Sequence, residues 1–165
     1  MLSRLWRMTS IGLLMICCAG RLIADDGGTG GASATTVSAM GVLVEDVLIE
    51  DFEANSYDSW TVVGDAFGQA PAPGTLPNQM PVAGFRGQGL VNTYADGDAS
   101  TGTATSREFA IERSYLTFFI GGGNQPDQLS LQLLVDDQVV RSASGADSET
   151  LQWTTWLVSD LKGRK

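Results

Sequence analysis

Histidine is missing from all 165 residues, and the two cysteines, Cys17 and Cys18, lie side by side near the start of the chain. Without histidine there is no Ser-His-Asp or Cys-His relay and no imidazole ligand for a metal. Two adjacent cysteines build neither a disulfide framework nor a four-ligand zinc site. Basic residues are scarce as well: ten against nineteen acidic, for a net charge of −9. Such a surface repels phosphate backbones, which argues against nucleic acid as a partner. Long apolar runs are few. The nine residues from Ile11 to Ala19 fall well short of the roughly 20 that cross a bilayer, so stable membrane insertion is not expected.

That apolar run sits in "MLSRLWRMTSIGLLMICCAGRLIADD" behind Arg4 and Arg7, and is followed by small residues at Cys17-Cys18-Ala19 and Leu22-Ile23-Ala24. A positive start, a short apolar core and a small-residue exit are the layout of a secretory signal peptide over residues 1–24. Ile16, before Cys17, is bulkier than a lipoprotein cleavage site accepts. The protein is therefore expected to be secreted or periplasmic. Removing 24 residues takes three basic residues and no acidic one, so the mature charge becomes −12. It also takes both cysteines. Residues 25–41, "DDGGTGGASATTVSAMG", contain five glycines and almost nothing to bury, and read as a flexible spacer.

From residue 42 the pattern changes to short apolar runs broken by turn residues. "VLVEDVLIEDFE" (42–53) holds a strand with Val47, Ile49 and Asp51 on one face and Leu48, Glu50 and Phe52 on the other. "WTVV", "GLVNTY", "TGTATS", "EFAIE", "YLTFFIGGG", "QLSLQLLVDD", "QVVRSAS" and "TLQWTTWLV" follow. In the sixth of these, Leu129, Leu131, Leu133 and Val135 alternate with Gln128, Ser130, Gln132 and Leu134, which predicts one buried and one wet face. Asp136-Asp137 between two apolar runs predicts a tight hairpin. No stretch of helical periodicity follows residue 24. The fold class expected is all-β, an antiparallel, jelly-roll-like β-sandwich over residues 42–165. "WLVSDLKGRK" turns polar after an apolar strand, where a sandwich sends another strand back into the sheet. The module therefore reads as lacking its last strand.

Ala66 to Tyr94 holds four of the five prolines and five glycines, yet carries Phe67, Leu76, Met80, Val82 and Phe85. Such a loop covers part of the core or contacts a ligand. Several acidic groups invite chemical readings. Glu45, Asp46, Glu50, Asp51 and Glu53 could supply a glycosidase acid–base pair or calcium ligands, and "DGDAST" (96–101) resembles a calcium loop without its later glutamate. Solvated edges and ordinary turns account for the same residues. A structural calcium thus stays open, the metal ligands are unknown, and no other cofactor is implied. "GGG" (121–123) lacks the lysine of a phosphate loop and marks close backbone approach. Trp153 and Trp156, three apart on a strand, must face opposite sides. One belongs to the core, and the other is covered by a loop or offers a ring to a sugar.

The segments "VLIEDFE", "GTLPNQMPV" (74–82), "GQGLVN" (87–92), "IGGG" (120–123), "LLVD", "VVR" and "VSDLKG" together resemble the N-terminal β-sandwich module of secreted bacterial glycoside hydrolase family 32 enzymes, the levanase and β-fructosidase group. The resemblance runs from about Asp46 to Lys165. It implies a further strand and then a catalytic β-propeller whose nucleophile, transition-state stabiliser and acid/base lie in Asn-Asp-Pro, Arg-Asp-Pro and Glu-Cys motifs. None of these motifs occurs in the sequence, so no catalytic residue is assigned. The expected function is a non-catalytic accessory module, carbohydrate-binding or scaffolding, of an exported fructan hydrolase. Its expected partner is a fructan polysaccharide or the propeller of the same protein. Candidate sugar contacts are Trp60, Tyr94, Trp153 and Trp156, with Asn78, Gln79, Arg86 and Asn92 as polar partners. The alternative is a free-standing extracellular carbohydrate-binding or adhesion domain.

Overall fold

The computed structural model describes residues 4–11, 14–23 and 45–163, and among the first two stretches Met8 is the one side chain described. The spacer at 25–41 lies outside the described residues. Among the described residues ten strands form two sheets: β1 (Arg4–Ile11), β2 (Leu14–Ile23), β3 (Val47–Leu48), β4 (Trp60–Gly64), β5 (Val91–Asn92), β6 (Thr101–Ser106), β7 (Tyr115–Gly122), β8 (Ser130–Val135), β9 (Gln138–Ala143) and β10 (Ser148–Leu157). One sheet has the order β4-β6-β1-β8-β9 and the other β10-β7-β2-β3, with β5 also paired to β2. Every strand pair is antiparallel. The described helical structure is one 3-10 turn, Ser159–Leu161, and no described helix is long and apolar enough to cross a membrane. The all-β sandwich is as the sequence predicts.

The core lies between the sheets. Met8, Trp60, Ala104, Leu131 and Leu133 project from one, and Val91, Leu116, Phe118, Ile120 and Trp156 from the other. Each set sits at alternate positions of its strand, which is the two-residue period expected when one face of a sheet is buried. Phe118 and Trp156 meet edge to face with ring centroids 4.7 Å apart. The hairpin between β8 and β9 pairs Val135 with Gln138, and Asp136 and Asp137 both take positive φ. That is the geometry of a two-residue turn matching strand twist.

Several local expectations are corrected. "EFAIE" forms no strand; Ile111 is buried from an irregular segment. Of the strand expected within 42–53, the described residues show only β3, Val47–Leu48. Phe52 does not share a face with exposed Leu48, because its φ of 59° turns the ring into the core, 5.5 Å from Trp60. The second face of β8 is not wet throughout: Ser130 and Leu134 are buried along with the leucines.

While attached, the segment read as an export leader supplies a central strand to each sheet. β1 joins β6 to β8, and β2 joins β7 to β3 and β5.

Candidate functional site

The long loop crosses the outer face of the β7–β10 sheet. It is stitched there by an antiparallel bridge between Ala72 and Leu90 and a parallel bridge between Ala83 and Thr150. In the latter, the Ala83 amide donates to the Glu149 carbonyl and the Leu151 amide to the Ala83 carbonyl, at 3.1 and 2.8 Å. Under the loop, Leu90, Phe119 and Leu151 form a second small core against which Val82 and Phe85 pack. Phe67 is buried in the main core. Met80, expected as an anchor, is 63% exposed instead.

The glycines of "GFRGQGLVN" have specific tasks. A Cβ on Gly84 would meet the Leu151 backbone, one on Gly87 the Glu53 carboxylate, and one on Gly89 the Phe52 carbonyl. Glu53 Oε1 accepts the amides of Gln88 and Gly89 at 2.8 and 3.2 Å. At the other end of the loop, the Gln79 and Asn92 amides pair reciprocally at 2.8 and 3.1 Å. Gln79 Oε1 also takes the Leu76 amide, and Asn92 Nδ2 donates to the Gly74 carbonyl. Tyr94 donates its hydroxyl to the Asn78 carbonyl at 3.3 Å. These groups make the loop rigid.

On this supported surface sits an aromatic shelf. Trp153 is paired across the strands with Phe119, their rings edge to face at 4.9 Å. The Arg86 guanidinium lies 5.4 Å from the centre of the Phe119 ring and 5.9 Å from that of Trp153, within cation–π range. Trp153 remains 47% exposed. Trp156, on the opposite side of the same strand, is 8% exposed and belongs to the core. Of the eight candidate contacts, Arg86 and Trp153 come together on this shelf. Asn78, Gln79, Asn92 and Tyr94 form the loop clamp instead, with Asn92 itself buried. Trp60 faces inward and donates its indole N–H to Glu50. Phe119 was missed as a shelf residue, although its place one position after Phe118 in a strand already put it on the outer face.

Three of the five acidic candidates, Glu50, Asp51 and Glu53, accept backbone amides. Glu50 accepts from the Ser59 hydroxyl (2.7 Å), the Trp60 indole (3.1 Å) and the amides of Asp51 and Phe52 (both 3.1 Å). Burial pushes its carboxyl up, but these four bonds outweigh burial and hold it below the ordinary glutamate value. It lines one wall of a groove of about 330 Å³ with Val47, Ile49, Arg107 and Phe109. Asp51 accepts the Glu53 amide. The 96–101 segment is a turn in which the Asp96 amide donates to Ser100 Oγ and the Ser100 amide to the Gly97 carbonyl. Among the described residues no group of three His, Cys, Asp or Glu side chains is placed to hold a metal.

Comparison with known proteins gives one relationship of weight. The chain is 39% identical over 122 residues to a protein of Aspergillus rugulosus provisionally named a glycosyl hydrolase, ecdE. This is a glycoside-hydrolase relationship. The matched part is 72% of this chain but 17% of the fungal protein, so the chain spans less than a fifth of the relative's length. No family model matches the chain, and no solved structure matches it.

Proposed function

We propose that this chain is a non-catalytic, carbohydrate-binding module of an exported fructan-degrading glycoside hydrolase of the family 32 levanase group, with hydrolysis carried by another part of the same protein. The observation that carries the reading is the shelf of Trp153, Phe119 and Arg86: an indole ring half open to solvent, met edge to face by a second ring on the neighbouring strand and flanked by a cation. A pyranose or furanose ring lies flat on such a face, burying C–H groups against the indole while its hydroxyls stay hydrated or reach a guanidinium. Glu50, Glu53 and Asp51 are engaged by backbone and indole donors, which speaks against a facing acid–base pair in this chain. The small homologous share of a much longer glycosyl hydrolase supports the accessory role. Export is expected from the leader-like residues 1–24.

The test is retention of the purified chain on insoluble or immobilised levan, inulin, cellulose and xylan. Retention on a fructan, abolished by Trp153→Ala, is the expected result. Release from every glycan would reduce the module to a scaffold for its neighbouring domain.

A further inference from the structure

The aromatic shelf is one end of a longer strip. β10 and β7 pair Trp153 with Phe119, Thr155 with Thr117 and Leu157 with Tyr115. The residues between these rows, Leu116, Phe118 and Trp156, belong to the main core, so the three rows share the outer face of the sheet. Four residues of strand rise put the Leu157–Tyr115 row roughly 13 Å from the Trp153–Phe119 row. Trp153 and Leu157 are 47% and 54% exposed, Thr155 is exposed, Tyr115 is half-buried, and Thr117 is buried between them. The long loop crosses this face beyond Trp153, through the Ala83–Thr150 bridge, and leaves β10 open from Trp153 to Leu157.

The far end of the strip is as firmly held as the shelf. Arg141 donates to the Leu157 carbonyl at 3.0 Å and to both Asp160 carboxylate oxygens at 2.8 and 3.0 Å. The Val158 amide donates to the Ser114 carbonyl and Lys162 Nζ to Ser114 Oγ, at 2.7 and 2.9 Å. Both strands are thus tied where Leu157 and Tyr115 meet, and a ligand bound there has little backbone left to order.

The chemistry of the strip selects its occupant. The side chains of its three rows are all uncharged, apolar or aromatic in the outer rows and hydroxylic in the middle one, in a chain with nineteen acidic residues. Sugar rings present C–H faces for the first kind of contact and hydroxyls for the second. Shape argues the same way. Two strand axes roughly 5 Å apart over a length of roughly 13 Å offer a small part of the roughly 800 Å² that each partner buries in a stable protein contact. A single extended chain covers such a strip; a folded domain finds too little of it.

We propose that β7 and β10 form a continuous binding strip for consecutive units of one uncharged fructan chain, with one unit on Trp153 and another, further along, against Leu157 and Tyr115. The inference rests on the reading of Trp153 as a sugar platform and adds chain length to what that platform recognises.

The test is calorimetric titration of the full chain with fructo-oligosaccharides from the disaccharide to the hexasaccharide. Affinity should rise about tenfold or more from the shortest to the longest, the scale of burying one further apolar side chain. Leu157→Ala alters an exposed side chain, should keep the fold, and should bring that ratio down toward one. Tyr115→Ala, with its fold verified by denaturant unfolding, should do the same. Binding that depends on Trp153 but is equal for every length would overturn the strip and leave the shelf as a single-ring site. A length dependence that survives both substitutions would overturn it as well, by sending the added units elsewhere. Binding of no oligosaccharide at all would remove strip and shelf together.

Discussion

Glu53 and Gly89 show how much of the loop's shape rests on single residues. Glu53 is exposed, yet its carboxylate accepts two loop amides, those of Gln88 and Gly89. Glu53→Ala should cost about 1–3 kcal/mol in urea unfolding, the range for losing hydrogen bonds to a charged acceptor. Gly89→Ala should cost more, because its Cβ would land on the Phe52 carbonyl and neither backbone segment can yield. Glu50 makes a pH prediction. Its folded value lies below the unfolded one, so its stabilisation is present above about pH 4.3 and is lost as pH falls through the lower folded value. Unfolding free energies measured from about pH 6 down to about pH 3 should therefore fall less steeply in Glu50→Gln than in the parent. Tyr57, buried with no described partner for its hydroxyl, has its ionisation pushed upward by burial. Its contribution is present below the unfolded tyrosine value of about 10, above which the unfolded chain ionises first and stability declines.

At the scale of elements, the β8–β9 hairpin is the clearest case of sequence dictating geometry. Two aspartates at positive φ pay a left-handed strain that asparagine and glycine largely avoid, so replacing Asp136-Asp137 by Asn-Gly should raise stability by about 1 kcal/mol in thermal or denaturant unfolding. Strands β7, β8 and β10 were legible from apolar residues at alternate positions, and β6 and β9 from the turn residues that bound them. The 42–53 segment was legible only in part: alternation put Val47 and Ile49 on one face, which the structure packs against the core, but a positive φ at Phe52 turned its ring inward from the face that counting assigned to it. Ser130 and Leu134 were read as wet because a period of two says nothing about what covers the second face of a central strand. The leader-like segment carried the deepest ambiguity, since a short apolar run serves a leader and a buried strand alike. For the shelf, the opposition of Trp153 and Trp156 could be read from their spacing. The pairing of Arg86 with Trp153 could not, because it depends on a loop crossing the sheet through the Ala83–Thr150 bridge, a contact between residues 67 positions apart.

For the whole molecule, the sandwich supplies the frame, the loop covers the outer face of one sheet, and the half-exposed Trp153 ring beside Phe119 and Arg86 is the face proposed for a polysaccharide. The relationship to a glycosyl hydrolase roughly four times as long suits a module in which Glu50, Asp51 and Glu53 accept backbone amides. Sugar binding by one shelf would be weak and would gain from many repeats along a chain. It should survive in Trp156→Ala only as far as that variant folds, because deleting the core ring should cost about 3–5 kcal/mol. Trp153→Ala should lose about 1 kcal/mol or less, the scale of its ring and cation contacts. The most direct measurement is electrophoretic retardation of the intact chain in native gels cast with levan, with Trp153→Ala run alongside and its fold verified by denaturant unfolding. Levan should slow the parent and leave the folded Trp153→Ala variant unretarded. Equal mobility of the two, with or without levan, would contradict the account of the shelf as a fructan-binding site.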